Sequence, residues 1–496
     1  MLNLQNKLAF YVDKYRNPLM KRIIEMELDD DVAAVHVLQF AKCGKGDENA
    51  RNYVISLIQM HMKDLLEKED LRHIREIVQN EYKKLLNKEY RVFPEDSEYI
   101  DYYHLLDNCM TEKDRIEIKS KDISKVTGQE EFCELLYYNT YGNGLIEPLL
   151  KLNVNNIEVH GTKRIRIETN KGIWKTIYDY RYTRDEDIQK TAKHLMAQSD
   201  KEDITEENCM QEGTMAKGYR VTVALKPGAK MNSIFIKKFD AFPMKDIRDL
   251  VEIGEITPEM YEEFKIYAKG RANILFIGGV NAGKTTLMNG YIGLIPSQYK
   301  IGIIESDFET IADELFPDRD ITILRETPKF SLNDQFSKLL RMNRHILAIT
   351  ESRSFEVEQL IKAMLRGADG SFSTIHSRSS HDAINNMAWM ALESGIPMDI
   401  KILRQRIASA VDIVVRLWHG PDGKRIVDQV DEVITIYDNL DIPYRINTIF
   451  KKDLKTNEVK KVGNISENLI EKFIYYNCTY EEVSKIIRED LPKCEV

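Results

Sequence analysis

The sequence lacks the features that mark membrane-spanning, secreted and disulfide-linked proteins. No apolar run reaches the roughly 18 residues that a transmembrane helix needs. The opening stretch MLNLQNKLAFYVDKYRN has no apolar core of signal-peptide length. The six cysteines are scattered without a C-x-x-C pair, which argues against both a zinc site and a disulfide framework. We therefore expect a cytoplasmic protein.

An excess of positive charge is also missing. Lys and Arg number 71 against 80 Asp and Glu, so the formal net charge is -9. Because nucleic-acid binders neutralise phosphates with clustered cations, we expect no nucleic-acid partner. The chain contains 30% charged and 43% hydrophobic residues, which is typical of a soluble protein. Its 496 residues suffice for about three domains.

Patterning along the chain predicts four regions. Residues 1–95 are charged and helix-prone, and residues 96–250 combine helical segments with several short strands, as in an α+β domain. The predicted strands are 157–161, 164–168, 172–177, 220–225 and 233–239. Strands alternate with helices over 251–450, which is the pattern of a doubly wound α/β domain. Residues 451–496 form a polar, partly helical tail, and 243–254 reads as a connection.

The most specific motif is GGVNAGKT, residues 278–285, which fits the phosphate-binding loop G-x-x-x-x-G-K-[ST]. An apolar strand is predicted before it over 274–277 and a helix after it, as that loop requires. Lys284 is expected to reach the β- and γ-phosphates of ATP, and the Thr285 hydroxyl to bind Mg²⁺. The predicted nucleotide contacts of the loop are Gly278, Gly279, Asn281, Ala282, Gly283, Lys284, Thr285 and Thr286.

Acidic residues follow the next predicted strand, within 301–310. Glu305 ends the strand, and Asp307 and Glu309 lie just beyond it. Carboxylates at a strand end beside a phosphate loop can hold Mg²⁺ or orient a water molecule. A solvated acidic turn is the alternative.

A second strand, within 346–353, ends in Glu351, at the edge where α/β sheets place their ligand chemistry. That position suits an acid that polarises the attacking water or holds Mg²⁺ through water. Arg353 can meet phosphate or a neighbouring subunit. An ordinary strand end is the alternative.

A third segment, 367–377, carries a histidine. Gly367 terminates an amphipathic helix, and the short strand SFSTI delivers His376 to its carboxyl end. There His376 can sense the γ-phosphate or contact an adjoining subunit. A purely structural histidine is the alternative.

The order and spacing of these segments resemble the type II/type IV secretion ATPase superfamily, whose motifs are a Walker A loop, an Asp box, a Walker B glutamate and a His box. The branch that this chain resembles most is the Tad/Flp pilus assembly ATPases. YGNGLIEPLL at 141–150, GYRVTVAL, IFIKKF and RQRIASAVDIVVRL at 404–417 are similar to further parts of that branch. The resemblance covers roughly 110–450.

The resemblance implies a RecA-like P-loop ATPase core preceded by an α+β N-terminal domain and an extra helical region. It implies that Glu351 is the main catalytic acid, that Glu305 and Glu309 are its partners, and that His376 is a sensor. It also implies that Arg220 reaches the phosphates of nucleotide held between the two domains, and we expect the Lys237-Lys238 pair to approach them as well. The expected assembly is a hexamer, peripheral at the inner membrane under a platform protein, that powers pilus assembly or protein export.

Some residues depart from the family pattern. Four positions differ from the residues that are usual in these motifs: Ser306, Thr350, Ser354 and Ala368. Lys237-Lys238 stands where the family has Arg-Lys, and a lysine lacks the two-pronged hydrogen-bonding group of arginine. The absence of a four-cysteine zinc module argues against the type II secretion and type IVa pilus branches. The alternatives are a conjugation-type type IV secretion ATPase, a nucleic-acid motor, and a scaffold that binds nucleotide without hydrolysing it.

Overall fold

The computed structural model describes residues 3–494 apart from 27–29, 171, 200–203, 216–217, 239–245, 307–308, 328, 351–354, 421–422 and 493. The chain divides into two compact units, Met1–Phe242 and Pro243–Val496. Across the residues described, no helix combines the length and the apolar character needed to cross a bilayer.

The first unit begins with a helical layer. The helices of the whole first unit are α1 Ala9–Met26, α2 Asp30–Gly44, α3 Glu48–Leu65, α4 Lys68–Leu86, α5 Tyr102–Cys109, α6 Glu112–Ser120, α7 Gln129–Thr140, α8 Ile146–Leu150 and α9 Asp185–Ala197. Helix α3 shows why they form: the Asp47 side chain caps its first turn by accepting from Ala50 N–H, and Val54, Ile58 and Met62 recur on one buried face. Helices α1, α3, α4 and α7 share one apolar core.

The rest of the first unit is a seven-stranded sheet. Its strands are β1 Tyr99–Asp101, β2 Val154–His160, β3 Arg164–Thr169, β4 Trp174–Tyr178, β5 Met210–Thr214, β6 Arg220–Ala224 and β7 Ser233–Lys237, in the spatial order β1-β4-β3-β2-β7-β6-β5. All pairs are antiparallel except β1 with β4. Alternate residues such as Ile157, Val159 and Ile236 are buried, as the period of two in the sequence predicts.

The second unit is built on a nine-stranded sheet. Its strands are β8 Ile274–Gly278, β9 Ile301–Glu305, β10 Ile321–Arg325, β11 Ile346–Ile349, β12 Phe372–Ile375, β13 Ile413–His419, β14 Arg425–Thr435, β15 Tyr444–Lys452 and β16 Val459–Lys461. The order is β10-β9-β11-β12-β8-β13-β14-β15-β16, with the first six strands parallel and the last three added antiparallel. This is the predicted α/β class in its RecA-like form, since one strand, β12, separates the phosphate-loop strand β8 from β11.

Helices cover this sheet, and all five residues of β8 are buried. The helices of this unit are α10 Arg248–Glu252, α11 Pro258–Lys269, α12 Lys284–Leu294, α13 Ala312–Leu315, α14 Leu332–Arg341, α15 Phe355–Met364, α16 Ser380–Glu393, α17 Ile400–Ala410, α18 Glu467–Tyr475 and α19 Tyr480–Ser484. The residues after 450 belong to the same unit: β16 extends the sheet, and its Lys461 forms a buried ion pair with Glu263 of α11. The C-terminal residues therefore complete the fold of the second unit.

Candidate functional site

The loop between β8 and α12 has the backbone geometry of a phosphate cradle. A Cβ on Gly278 would lie 2.6 Å from the carbonyl oxygen of Leu417. A backbone shift of a few tenths of an ångström would not relieve this clash. Gly283 has φ +91° and Asn281 has φ 58°, both in the left-handed region that lets successive N–H groups face one point. A Cβ on Gly279 would meet no protein atom within 4 Å, so the fold of the loop itself leaves space beside this glycine.

Lys284 is the first residue of α12 and is only 8% exposed. Its Nζ donates to the carbonyl oxygens of Gly278 (3.1 Å) and Gly279 (2.8 Å) and lies 3.4 Å from Nδ1 of His376. The ammonium group is thus held over the loop at the positive end of a helix, which favours an anion. The structure also brings together Lys284 and His376, two predicted site residues that lie far apart in the sequence.

His376 is exposed and follows β12 directly. It borders a cavity of about 520 Å³ lined by 278–280, 376–378, 416–418 and Asp428. Arg416 in this wall forms a bidentate ion pair with Asp428 (2.8 and 2.9 Å). Because β13 runs beside β8 with Leu417 opposite Gly278, this cavity opens directly onto the phosphate loop.

Two residues outside the predicted set also contact the loop. Arg425, at the start of β14, donates from Nε to the carbonyl oxygen of Asn281 at 2.9 Å. Glu255 is buried against Gly283, where a Cβ would lie 3.0 Å from its Oε1. The stretch DGKRIV could have indicated Arg425, since it follows the family-like segment 404–417, whereas no motif indicated Glu255.

Glu305 ends β9 with a buried side chain that is 1% exposed. Its two carboxyl oxygens accept hydrogen bonds from Glu309 N–H (3.3 Å) and Thr310 N–H (3.0 Å). Burial raises the pKa of Glu305 to about 8, against the opposing effect of these bonds. The carboxyl group therefore holds the loop that carries Glu309, and Asp307 lies outside the described residues.

The predicted acid Glu351 and its neighbour Arg353 lie outside the described residues. The residue before them, Thr350, is anchored on both sides: its N–H donates to Ile304 O at 3.1 Å, and its carbonyl oxygen accepts from the Thr374 hydroxyl. Thr350 is therefore buried between β9 and β12, at the carboxyl ends of the parallel strands.

Arg220 and Lys237 lie directly opposite each other on β6 and β7 of the first unit. Directly paired residues of antiparallel strands share one face of the sheet, so these two cations lie side by side. Arg220 also pairs with Glu212 at 3.2 Å. The adjacent Lys238 is buried and donates to the carbonyl oxygens of Leu150 and Leu152, so it serves the fold of its own unit and not a phosphate.

The described residues contain no cluster of three or more His, Cys, Asp or Glu side chains that suits a metal ion. A hard cation such as Mg²⁺ needs few protein ligands when a nucleotide supplies phosphate oxygens. Thr285 and Thr286 are half-buried in the first turn of α12, next to Lys284. The residues present therefore fit a site for nucleotide with Mg²⁺.

Comparisons with known proteins agree with this geometry. The family model "Type II/IV secretion system protein" matches residues 139–472. The probable conjugal transfer protein TrbB of Sinorhizobium fredii is 25% identical over 217 residues, which cover 42% of this chain and 63% of TrbB. The type IV secretion system protein PtlH of Bordetella pertussis is 29% identical over 167 residues, which cover 31% of this chain and 48% of PtlH.

A solved structure with a related chain is the VirB11 ATPase from the Brucella suis type IV secretion system in complex with sulphate. It is 21% identical, with 58% of this chain and 95% of that chain covered, and the TM-score is 0.31. The fold assignment accordingly rests on the strand order of the second unit and not on this superposition. This chain spans less than two thirds of the length of the two curated relatives named above.

Proposed function

Since this chain belongs to the type II/IV secretion system protein family, we propose that it is a Mg²⁺-dependent ATPase that powers pilus assembly or protein export. The observation that carries the proposal is the contact set of Lys284. One ammonium group lies on the phosphate loop, at the start of α12, and 3.4 Å from His376. A helix start, a glycine-rich loop and a lysine together make an anion site that ATP phosphates match.

Each loop residue has a distinct part in this proposal. The backbone N–H groups of the loop bind phosphate oxygens, and Arg425 keeps the loop in that shape through its bond to Asn281 O. Lys284 exchanges the carbonyl oxygens of Gly278 and Gly279 for phosphate oxygens, which pair better with an ammonium group. His376, already beside Lys284, donates a ring N–H to the terminal phosphate.

Mg²⁺ bound to the Thr285 hydroxyl and to phosphate oxygens would neutralise the charge that develops on the transferred phosphoryl group. Glu351 is proposed as the acid that orients the attacking water, supported by the anchored backbone of Thr350 just before it. The proposal for Glu305 is a positioning role, because its oxygens are engaged by the amides of its own loop. Glu309, in the same loop, is proposed as an acidic partner of Glu351.

Arg220 and Lys237 are proposed to offset the negative charge of the triphosphate. Their support is that the two cations share one face of the first unit's sheet. We further propose that Arg353 meets phosphate or a neighbouring subunit, as its position two residues after Glu351 suggests.

The cellular role is proposed from the sequence resemblance and the relatives. The motif order supports a Tad/Flp-type pilus motor, a hexamer that works peripherally at the inner membrane under a platform protein. A conjugation-type secretion ATPase is the second candidate, and the similarity to the probable conjugal transfer protein TrbB favours it. In both cases ATP hydrolysis drives a conformational cycle of the subunits.

The test is phosphate release by the purified full-length chain with Mg²⁺ and ATP. Lys284→Ala should lower the turnover at least a hundredfold, because it removes the loop's cation at the β- and γ-phosphates. Lys265→Ala is the matched control, since Lys265 is a solvent-exposed lysine of the same unit whose described partners are Glu262 and the ring of Tyr261. Retention of more than about a tenth of the wild-type rate by Lys284→Ala would defeat the assignment of the loop.

A further inference from the structure

Glu255 is a buried carboxyl group that the proposed ATPase chemistry does not use. Its side chain is 7% exposed, and Oε1 has no hydrogen-bond partner among the residues that the structure describes. Burying a carboxylate without full pairing is costly, and native proteins contain few such groups. A costly group beside a ligand site suggests a role at that site.

The backbone holds Glu255 in place from two sides. Its N–H donates to Leu250 O at 2.8 Å, and its carbonyl oxygen accepts from Val427 N–H of β14 at 2.8 Å. The carboxyl group consequently stays against Gly283, the residue that immediately precedes Lys284 and the first turn of α12.

Few charged groups surround Glu255. Arg425 approaches from β14, and its Nε is already bonded to Asn281 O of the loop at 2.9 Å. Lys284 follows Gly283 in the sequence and lies beside His376. The apolar Leu417 of β13 also lies near Gly283. Burial raises the pKa of Glu255 to about 7, and the Arg425 charge only partly opposes this effect.

We infer that Glu255 couples nucleotide binding at the phosphate loop to the uptake of a proton. When nucleotide phosphates bind to the loop, the Glu255 carboxyl group binds a proton. The inference rests on the proposed function, because it needs nucleotide at this loop. An ionised Glu255 under Gly283 repels the phosphates through a poorly screened interior, whereas the neutral acid does not. Binding is reciprocal, so bound phosphates must in turn favour the protonated acid.

The sign of the effect follows from this coupling. Nucleotide affinity should be highest at acidic pH, where Glu255 is already neutral, and should fall as the pH rises above neutrality. One titrating group limits the fall to at most about tenfold for each pH unit. A motor with this residue would bind nucleotide more weakly in alkaline conditions than the same motor with a permanently neutral side chain.

The experiment is calorimetric titration of the full-length chain with Mg²⁺ and ADP, which binds without being hydrolysed. Titrations near neutral pH in two buffers of different ionisation enthalpy count the protons taken up on binding. The wild-type chain should take up about half a proton more than Glu255→Gln, whose amide is neutral and similar in shape. Glu259→Gln, a partly exposed glutamate of α11 that pairs with Arg488, is the control and should match wild type.

The outcomes separate the two proposals. Equal proton uptake by wild type and Glu255→Gln, or a smaller uptake by wild type, would overturn the linkage while leaving nucleotide binding intact. No detectable ADP binding to the wild-type chain at any pH would overturn the proposed function and this inference together. If Glu255→Gln does not fold, the pH dependence of the wild-type ADP affinity decides, since an affinity that does not fall above neutral pH contradicts the inference.

Discussion

The buried carboxyl group of Glu305 should make the stability of the second unit depend on pH. Its pKa is about 8 in the folded chain against an ordinary 4.5, and burial is the main cause. A carboxyl group with a raised folded pKa contributes stability that is fully present below the unfolded pKa and is lost as the pH rises through the folded pKa. Stability should therefore fall with rising pH.

The size of the effect can be worked from these two pKa values. Proton linkage between a pKa of 4.5 and one of about 8 amounts to roughly 2.7 kcal/mol at pH 6 and nearly nothing at pH 9. Glu305→Gln should abolish this slope, because an amide does not titrate. Below about pH 6 the substitution should cost about 1 kcal/mol, since the amide has only one oxygen for the N–H groups of Glu309 and Thr310. This cost should disappear and reverse as the pH rises towards 9, because only the wild type loses its linkage stability there.

The assay is urea unfolding of the full-length wild-type and Glu305→Gln chains from about pH 6 to pH 9. The difference between the two curves isolates Glu305 from other titrating groups such as Glu255. Glu314→Gln, an exposed glutamate of the short helix α13, is the control and should follow wild type. Parallel loss of stability in wild type and Glu305→Gln would refute the assignment of a proton to Glu305.

Two further substitutions test the proposed catalytic groups. Glu351→Gln should leave ATP binding intact and stop turnover, because the amide keeps the shape of the side chain but cannot polarise water. If Glu351→Gln instead has nearly the wild-type ATPase rate and Glu305→Gln has none, the roles given to these two residues are reversed. Arg220→Ala should lower the ATPase rate about tenfold or more without unfolding the first unit, as loss of a charge clamp on a transferred phosphoryl group does; an unchanged rate in a phosphate-release assay would remove Arg220 from the site.

The predictions that depended on contiguous residues were the most accurate. The loop 278–285 lies between a buried strand and a helix as predicted, because its strand, glycines and helix start are local features. The strands predicted near 157–161, 164–168, 172–177, 220–225 and 233–239 are all present within a few residues, since each carries its own alternation of apolar side chains. Strand β1 was missed because it has only three residues, and β5 because its sequence MQEGT has no alternation of apolar side chains.

Predictions about individual side chains were less complete. Lys238 looked like a second phosphate cation beside Lys237, but successive residues of a strand point to opposite faces, and Lys238 is buried against Leu150 and Leu152. The roles predicted for Glu351 and Arg353 stay predictions, as those residues lie outside the described part of the chain.

The amino-acid sequence by itself determined the phosphate loop, the alternation of strands and helices, and the order of the acidic and histidine segments. These follow from short-range chemistry, in which glycine permits a turn and apolar spacing sets a buried face. Only the tertiary structure decided that His376 meets Lys284, that Arg425 holds Asn281, and that Glu255 lies under Gly283. Such contacts depend on which strands become neighbours in the sheet, and that choice is made by packing of the whole core and not by any local pattern.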